Sequence, residues 1–268
     1  MPRLAIVSDV HANLVALRAV LADVDAHGAD GLVVAGDAIG FGPNPCEVVD
    51  LLRGRGARMI RGNHEKDYVA GYDSPDRPES WATSPRLRSF RWGMERLGAA
   101  RRAFLGALPD SLMLDDATLV IHGSPRNVRD SVLPWSTDEE LEAMYAGDPS
   151  RLVFMGHTHR FHVRDLPSRR LVNVGSVGMP LDGDTRASYV LLDDDHRLTP
   201  RRVPYDVEAH LAAFDTTGLA ACDPLYAEVM RRQHRNGRDY YGPWFKYSRD
   251  VPDDGVDAAM ARYLAEHP

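Results

Sequence analysis

The length and composition of the chain limit its function class before any motif is considered. It has 268 residues, 44% hydrophobic and 26% charged, with a net charge of −7 at pH 7. This composition is typical of a globular protein with one large domain, and no apolar run approaches the ~18 residues of a membrane span. Because no long basic block is present, a surface for extended nucleic acid is not expected. Two distant cysteines, Cys46 and Cys222, encode neither a disulfide framework nor a thiolate metal site.

The amino-terminal segment, MPRLAIVSDV, leads directly into a strand-like run. It lacks the basic region, apolar stretch and small-residue cleavage site of a signal peptide. We therefore expect a cytoplasmic protein without membrane association. A small anionic substrate and self-association into a homo-oligomer are both compatible with the composition.

The first third of the sequence alternates between strand-like and helix-like segments. Residues 4–8 form a short continuous apolar run, as in strands buried on both faces, and residues 13–27 place leucine and valine at helical spacing. The pattern repeats with a strand over 31–37, a helix over 45–53 opened by proline, and a strand over 57–63. Such alternation predicts a parallel sheet covered by helices.

The pattern changes after residue 70. Residues 71–86 are rich in Pro, Asp and Ser, which favours an exposed loop, and residues 86–108 carry one or two helices. Six strand-like segments follow, and the short turns between several of them indicate antiparallel hairpins: residues 111–116, 117–123, 151–157, 162–166, 170–175 and 187–193. We predict an α/β fold, a layered α/β/β/α sandwich of mixed sheets flanked by helices.

The segment after residue 205 differs from the strand-rich part. It is predicted to be helical from Asp206 onward, with an irregular stretch over 237–248. We assign residues 1–205 to one catalytic domain and residues 206–268 to a C-terminal helical extension packed on that domain. Packing in the core is expected for a group of aromatic side chains in this extension, namely Tyr240, Tyr241, Trp244, Phe245 and Tyr247.

Side chains that can bind metal ions follow the predicted strands at the points where the strands end. Because loops from the carboxyl ends of neighbouring strands converge in open α/β sheets, residues distant in sequence can share one pocket there. The side chains in question are Asp9, His11, Asp37, Asn63, His64, His122, His157 and His159. A single histidine after a strand is weak evidence, but this many in one pattern predict a metal site.

The types of these side chains indicate which ions would bind. Imidazole, carboxylate and amide oxygen without thiolate suit Mn²⁺, Fe²⁺, Co²⁺, Ni²⁺ or Zn²⁺, and a purely oxygen site for Ca²⁺ or Mg²⁺ is less favoured. One tetrahedral ion binds four ligands, which is fewer than the side chains present here. Two ions bridged by a carboxylate would use these side chains and still leave coordination positions for water. The sequence therefore predicts a binuclear site.

The order of the motifs resembles that of a known family. The segments SDVH (8–11), AGDAIG (35–40), GNHE (62–65), IHG (121–123) and GHTH (156–159) resemble the five signature blocks of calcineurin-like metallophosphoesterases. The segment NVGSVG (173–178) looks like the continuation found in the small bacterial and archaeal phosphodiesterase branch. Each block alone is a modest match, and the resemblance rests on all five in order.

The resemblance implies a role for each side chain of the predicted site. Asp9, His11 and His159 would bind the first metal ion. Asn63, His122 and His157 would bind the second, and Asp37 would bridge the two. The ions, with Mn²⁺ the first expectation and Fe, Ni²⁺, Co²⁺ or Zn²⁺ as alternatives, would acidify a bridging water, so that hydroxide attacks the phosphorus near neutral pH.

His64 is adjacent to a ligand but is not a ligand in the family that the chain resembles. The resemblance implies that it stands over the substrate and donates a proton to the leaving oxygen or stabilises developing charge. The alternative is a histidine that only orders its loop. Substitution of His64 by Ala would distinguish the two, because the first role predicts lost turnover with intact metal content.

One departure from related families bears on the substrate. Phosphoprotein phosphatases and dinucleoside tetraphosphatases extend the second block to an arginine that grips phosphate, and the phosphoprotein enzymes place an aspartate just before it. This chain has Gly40 and Phe41 at those two positions. Without that guanidinium, the usual bidentate phosphate recognition is absent, so we expect a phosphodiesterase acting on a small or nucleotide-like diester. The alternatives are a phosphomonoesterase or (di)nucleotide phosphatase and, less favoured because every ligand is present, a non-catalytic binding scaffold.

Three further residues are candidates for substrate contact, namely Asn13, Ser176 and Arg160. Asn13 has an alternative role as the N-cap of the helix that begins there, because Asn is among the best N-cap residues. Gly175 and Gly178, on either side of Ser176, would offer backbone N–H groups to phosphate, although a tight turn explains these glycines equally well.

Overall fold

Two five-stranded sheets form the centre of the molecule. The computed structural model describes residues 2–267. The strands are β1 (Leu4–Val7), β2 (Gly31–Val34), β3 (Arg58–Met59), β4 (Leu112–Met113), β5 (Thr118–Val120), β6 (Leu152–Met155), β7 (His162–Asp165), β8 (Arg170–Asn173), β9 (Ala187–Leu192) and β10 (Leu198–Val203). The first sheet has the order β10-β9-β1-β2-β3, and the second has the order β4-β5-β6-β8-β7.

Both sheets are mixed. In the first, β1 pairs in parallel with β2, and β2 with β3, while β9 is antiparallel to both β1 and β10. In the second, β5, β6 and β8 are parallel neighbours, with β4 and β7 antiparallel at the two edges. The parallel strands β1, β5 and β6 are apolar runs of the sequence and are buried at every residue, as strands covered on both faces require.

Helices cover the outer faces of the sheets and build the C-terminal part. They are α1 (Leu14–Ala26), α2 (Pro45–Gly54), α3 (Ala70–Tyr72), α4 (Ser80–Thr83), α5 (Arg88–Gly106), α6 (Asp138–Met144), α7 (Val207–Thr216), α8 (Leu219–Cys222), α9 (Pro224–Asn236), α10 (Tyr241–Tyr247) and α11 (Val256–Glu266). A π-helical segment, His64–Val69, precedes α3. Among the described residues, no helix is both long enough and apolar enough to cross a membrane.

The core is divided into layers. Ile6, Val33 and Phe154 belong to the apolar layer between the two sheets. Leu17 of α1 packs with the other face of the first sheet, and Leu141 of α6 packs with the outer face of the second. The order of layers is therefore helix, sheet, sheet, helix, which confirms the predicted α/β/β/α sandwich of mixed sheets.

The C-terminal helices enclose an apolar cluster of their own. Phe214, Met230, Trp244 and Tyr263 are among its buried members, and Met179 of the preceding segment packs into the same cluster. The cluster extends to partly buried side chains of the amino-terminal part, such as Phe41 and Trp92. Residues from Asp206 onward thus pack on the loops that follow the first sheet's strands.

The structure corrects several predicted elements. Residues 237–248, predicted to be irregular, contain helix α10, and the predicted exposed loop over 71–86 contains the short helix α4. Helix α6 and strand β10 were not predicted. Helix α5 is one element with a break at Gly98, which agrees with one or two helices over 86–108. The predicted parallel pairing of the first three strands and the later antiparallel hairpins are confirmed.

Candidate metal centre

The strand-end residues of both sheets meet at one edge of the sandwich. The first sheet supplies Asp9 and His11 after β1, Asp37 after β2, and Asn63 after β3. The second sheet supplies His122 after β5, and His157 and His159 after β6. All lie beyond the carboxyl ends of parallel strands, where loops of an open sheet converge. Three overlapping groups of these side chains have ligand atoms close enough to hold an ion: Asp9–His11–His159, Asp9–Asp37–His122 and His11–Asp37–His64.

Left-handed backbone conformations are concentrated in this region. Asp9, His11, Asp37, His157 and His159 have φ values between 46° and 67°. Such values are uncommon for residues with a Cβ and persist only where the surrounding structure imposes them. The sharp turns direct these side chains toward a common centre, a local geometry that strand-end position alone does not specify.

The two carboxylates share the same arrangement. Asp9 accepts a hydrogen bond from the backbone N–H of His157 at Oδ2 (3.0 Å), and Asp37 accepts one from the backbone N–H of His64 at Oδ1 (2.9 Å). The other oxygen of each carboxylate faces the histidines. Asp9 Oδ1 is buried and has no hydrogen-bond partner. Because a buried acceptor without a partner carries a large desolvation cost, this oxygen is suited to a cation.

Three of the histidines have one ring nitrogen held by a backbone carbonyl. The Nδ1 atoms of His11, His122 and His159 lie 3.0, 2.8 and 2.8 Å from the carbonyl oxygens of Ile39, Ala35 and Met179, respectively. A carbonyl oxygen can only accept a hydrogen bond, so each Nδ1 must carry a proton and donate it. Each Nε2 is then available to bind a proton or a metal ion. Metal-binding histidines are commonly oriented in this way.

The free ring nitrogens fit a bound cation. Nε2 of His11 and Nε2 of His159 are 3.0 Å apart, and Asp9 Oδ1 is 3.5 and 3.2 Å from them. With both Nδ1 atoms already protonated, two neutral imidazoles would direct lone pairs at each other and at a carboxylate. A proton or a metal ion must therefore lie among these three atoms, and the donor set matches a divalent transition metal.

A second group of acceptors lies on the other side of Asp37. The Oδ1 atom of Asn63 is 3.1 Å from Nε2 of His122 and 2.9 Å from Nδ1 of His157. Asp37 Oδ2 is 3.3 Å from Nε2 of His122 and 3.8 Å from Nε2 of His11. This one oxygen therefore lies between the two groups of side chains.

The ionisation of the site without metal has a clear physical cause. Burial would lower the pKa of His122, but the Asp37 carboxylate outweighs it and raises that pKa to about 10. Burial would raise the pKa of Asp37, but the protonated imidazole of His122 holds it below its usual range. The carboxylates are thus neutralised by protonated imidazole, and cation binding must displace protons.

His64 differs from the other histidines in this region. Its side chain is buried, its Nδ1 has no hydrogen-bond partner, and its Nε2 is 4.0 Å from Asp37 Oδ2. Burial lowers the pKa of this imidazole to about 3, although Asp37 opposes the shift. A neutral ring with unsatisfied nitrogen next to the metal-binding atoms can either bind a cation or contact a substrate held there.

At two glycines of the sequence motifs, Gly62 and Gly156, a carboxylate lies too close to the backbone for any residue with a Cβ. A Cβ built on Gly62 would lie 2.1 Å from Asp37 Oδ1, and one built on Gly156 would lie 2.2 Å from Asp9 Oδ2. No real side chain fits at those distances. The glycines of GNHE and GHTH thus allow the backbone to contact the carboxylates directly.

Glu65 is a buried residue of this region that the sequence did not single out. Its carboxylate accepts hydrogen bonds from the backbone N–H groups of Asp37, Ala38, Ile39 and Gly62 at 2.9 to 3.3 Å. It therefore fixes the loop that carries Asp37 against the loop that carries Asn63. Its position directly after a predicted catalytic histidine was the only signal in the sequence.

The three candidate substrate contacts have different surroundings. Asn13 is buried and caps α1, accepting from the N–H of Ala16 and donating to the carbonyl of Gly178. Ser176 is buried, and its hydroxyl donates to the Asp9 carbonyl at 2.7 Å. Arg160 is half-buried, with its guanidinium 5.8 Å from the ring centroid of Trp135. Only Arg160 has a side chain that is not already bonded to the backbone around the site.

Comparison with known proteins agrees with the geometry. The profile of the calcineurin-like phosphoesterase superfamily domain matches residues 3–197. An uncharacterized protein of Methanocaldococcus jannaschii is 31% identical over 229 residues, which cover 76% of this chain and 88% of that protein. The crystal structure of a metallophosphoesterase from Sphaerobacter thermophilus has a TM-score of 0.70 at 30% identity, covering 88% of this chain and 99% of that one. A hypothetical protein from Pyrococcus horikoshii OT3 shares the fold, with a TM-score of 0.71 at 20% identity and coverage of 86% and 98%. The chain therefore belongs to the calcineurin-like phosphoesterase superfamily.

Proposed function

We propose that the protein is a binuclear metal-dependent phosphodiesterase acting on a small or nucleotide-like diester. The observation that carries the proposal is the convergence of buried ligand atoms. Nε2 of His11, Nε2 of His159 and Asp9 Oδ1 lie within 3.5 Å of one another, and a second such group lies across Asp37. Such an arrangement is stable only around positive charge.

Each side chain has one role in this proposal. Asp9, His11 and His159 would hold the first ion, Asn63, His122 and His157 the second, and Asp37 would bridge them. When bound, a pair of divalent cations supplies Lewis acidity that lowers the pKa of water and neutralises phosphate oxygens. Mn²⁺ is the first candidate, and Fe²⁺, Co²⁺, Ni²⁺ and Zn²⁺ suit the same donors.

His64 is proposed to act on the substrate rather than to bind metal. Its ring is buried beside Asp37, yet its Nδ1 has no protein partner. In this role the imidazole lies over the ester and stabilises the charge that develops on the leaving oxygen, or donates a proton to it. Because the ring is neutral without substrate, proton donation requires that the bound anionic ester raise the pKa of His64.

The preference for a diester rests on the residue next to His64. Where related phosphatases carry an arginine, this chain has Phe41, whose ring centroid is 4.8 Å from the rings of both His11 and His64. An apolar ring offers no bidentate partner for the second charge of a phosphate monoester. A monoanionic diester with an organic group on each side suits such a site better.

The test is hydrolysis of bis-p-nitrophenyl phosphate and of p-nitrophenyl phosphate by metal-stripped protein. The protein is refilled separately with Mn²⁺, Ni²⁺, Co²⁺, Zn²⁺ and Mg²⁺. We expect metal-dependent turnover with a preference for the diester, at least 100-fold loss in Asp37→Ala with lower metal content, and ~100-fold loss in His64→Ala with metal content unchanged.

Each alternative has its own outcome in this experiment. A strong preference for the monoester would favour a phosphomonoesterase or nucleotide phosphatase. Loss of metal from His64→Ala would make His64 a ligand or a loop-ordering residue. Absence of both bound metal and turnover with every ion would contradict the enzyme and favour a binding scaffold.

A further inference from the structure

A cavity of about 200 Å³ opens beside the metal centre, on the side of His64. It lies between the loop after β2, the helix α5 and the C-terminal helix α10. Gly40, Phe41 and His64 form its inner wall, and Phe245, which is 38% exposed, lies at its outer end. The cavity therefore connects the proposed phosphate position with the surface.

The lining of this cavity is aromatic. Phe41, Tyr68, Trp81, Phe90, Tyr241 and Phe245 all contribute to it. Their rings pack on one another as well as on the metal centre: Tyr68 is 5.0 Å from His64 and 5.1 Å from Phe90, and Tyr241 is 5.3 Å from Phe41. The chain of rings is continuous from the ligand His11 to the cavity mouth.

The cavity offers no free charge to a polar occupant. Among the described residues that line it, none is Asp, Glu or Lys, and the one guanidinium belongs to Arg86. That guanidinium donates to the carbonyls of Ser248 and Val251 and pairs with Asp253. It is therefore already neutralised, and a sugar phosphate or a carboxylate would lose its hydration here without a partner.

The size of the cavity suits one planar ring system. A dry apolar cavity of ~150 Å³ is enough to bind benzene. At about 200 Å³, this cavity takes a somewhat larger ring. Planar aromatic groups such as nucleobases are also stabilised by stacking on aromatic side chains.

We propose that this cavity binds a planar, uncharged aromatic group carried by one alcohol of the phosphodiester, either a nucleobase or an aryl ring. The inference rests on the proposed function, because it places the phosphate of that same ester at the metal centre. It makes Phe41, Tyr241 and Phe245 specificity-determining residues. It also gives the C-terminal extension a part in substrate choice.

The C-terminal helices fix this wall through direct contacts. Tyr226 of α9 donates its hydroxyl proton to the carbonyl of Phe41 at 2.7 Å, which holds the strained loop that bears Phe41 (φ 57°). Tyr241 of α10 packs edge-on against both Phe41 and Tyr226. Without these helices the aromatic cavity would be open on one side.

Helix α5 provides a matched pair of variants. Phe90, Gly93, Met94 and Leu97 share the face of α5 that lines the cavity, and a Cβ built on Gly93 meets no atom within 4 Å. Gly93→Leu therefore extends into the cavity without a backbone clash. Gly93→Ala raises helix propensity as Gly93→Leu does, but its small side chain leaves most of the cavity volume free.

The first experiment measures binding to metal-stripped full-length protein by ligand-observed NMR titration. The probes are adenosine, p-nitrophenol and, as an apolar probe without an aromatic ring, cyclohexanol. We expect an aromatic probe to bind at least ~5-fold more tightly than cyclohexanol, Gly93→Leu to weaken its binding by at least ~5-fold, and Gly93→Ala to bind like the wild type. Phe245→Ala, a change at the exposed mouth, is expected to weaken it as well.

The same titration distinguishes a nucleobase from an aryl ring as the aromatic group that the cavity binds. Tighter binding of adenosine supports a nucleotide ester, and tighter binding of p-nitrophenol supports an aryl ester. No aromatic binding, equal binding of cyclohexanol, or binding that Gly93→Leu leaves unchanged would overturn the inference. Because no metal or turnover is involved, failure of the proposed hydrolysis would be seen separately.

Discussion

Among single residues, Glu65 has the clearest structural role outside the proposed ligands. Its buried carboxylate accepts backbone hydrogen bonds from the loop that carries Asp37 and from Gly62. Burial raises the pKa of Glu65 to about 7, so the charged acceptor is present above that pH. Replacement by Gln would put an amide N–H₂ against backbone N–H donors, and hydrogen bonds to a charged acceptor contribute ~1.5–3 kcal/mol each. We expect Glu65→Gln to lower the free energy of unfolding of metal-stripped protein by ~2–4 kcal/mol, measured by urea denaturation.

The matched control is Glu208→Gln. Glu208 pairs with Arg235 at 2.8 Å on the surface, where both side chains are more than half exposed. Such a pair contributes ~0–1 kcal/mol, so little change is expected. Equal stability of wild type and Glu65→Gln would show that the carboxylate does not hold the two loops together.

Single residues also show what the sequence could and could not predict. The strand-end positions of Asp9 and Asp37 were enough to predict that they meet, because the carboxyl ends of neighbouring parallel strands share an edge. His122 follows a strand of the second sheet, so its place beside them depends on how the two sheets pack. The role of Glu65 depends on backbone N–H groups that point inward only after both loops have turned. The left-handed φ of Asp9 and Asp37 likewise depends on the fold, because Asp adopts this conformation more often than most residues with a Cβ but still only in a small minority of cases.

At the scale of elements, helix α5 contains a position where only glycine fits. Gly98 has φ 68° and ψ 162° inside the helix, in a region that residues with a Cβ avoid. A Cβ built there meets no atom within 4 Å, so backbone strain is the only cost. We expect Gly98→Ala to lower the free energy of unfolding by ~1–3 kcal/mol, although Ala is the better helix former.

Gly93 in the same helix provides the comparison, because it does not have a positive φ. Gly93→Ala is expected to raise the free energy of unfolding by up to ~1 kcal/mol. Both variants are measured by urea denaturation under one condition. A stabilising Gly98→Ala would mean that α5 is a continuous helix without the break.

The elements that the sequence failed to predict have weak local signals. Helix α10 contains Gly242, Pro243 and several aromatic residues, which are poor helix formers, and it is held by packing of Trp244 into the C-terminal cluster. Strand β10 contains Pro200, which argues against a strand, yet β10 is an edge strand paired only with β9. Tertiary contacts decide both, whereas the buried parallel strands are specified by their own apolar runs.

At the scale of the whole molecule, the proposed metal pair connects two separately built sheets. His11, Asp37 and Asn63 come from the first sheet, and His122, His157 and His159 come from the second. An ion bound by groups from both sheets binds only the folded state, so it stabilises the molecule by mass action. At 100 times its dissociation constant the gain is ~2.7 kcal/mol, which corresponds to a rise in melting temperature of ~5 °C or more.

The same argument predicts which substitutions reduce the rise in melting temperature that metal binding causes. Melting curves of metal-stripped protein with and without added Mn²⁺ should show the rise for wild type and for His27→Ala, a histidine at the end of α1 away from the site. The rise should be smaller in His11→Ala and also in His122→Ala, because each substitution removes a donor from one ion of the proposed pair, and each ion takes donors from both sheets. If one of the two variants kept the full rise, the histidine replaced in it would not hold the stabilising ion, and the proposed role of that histidine as a ligand would be wrong.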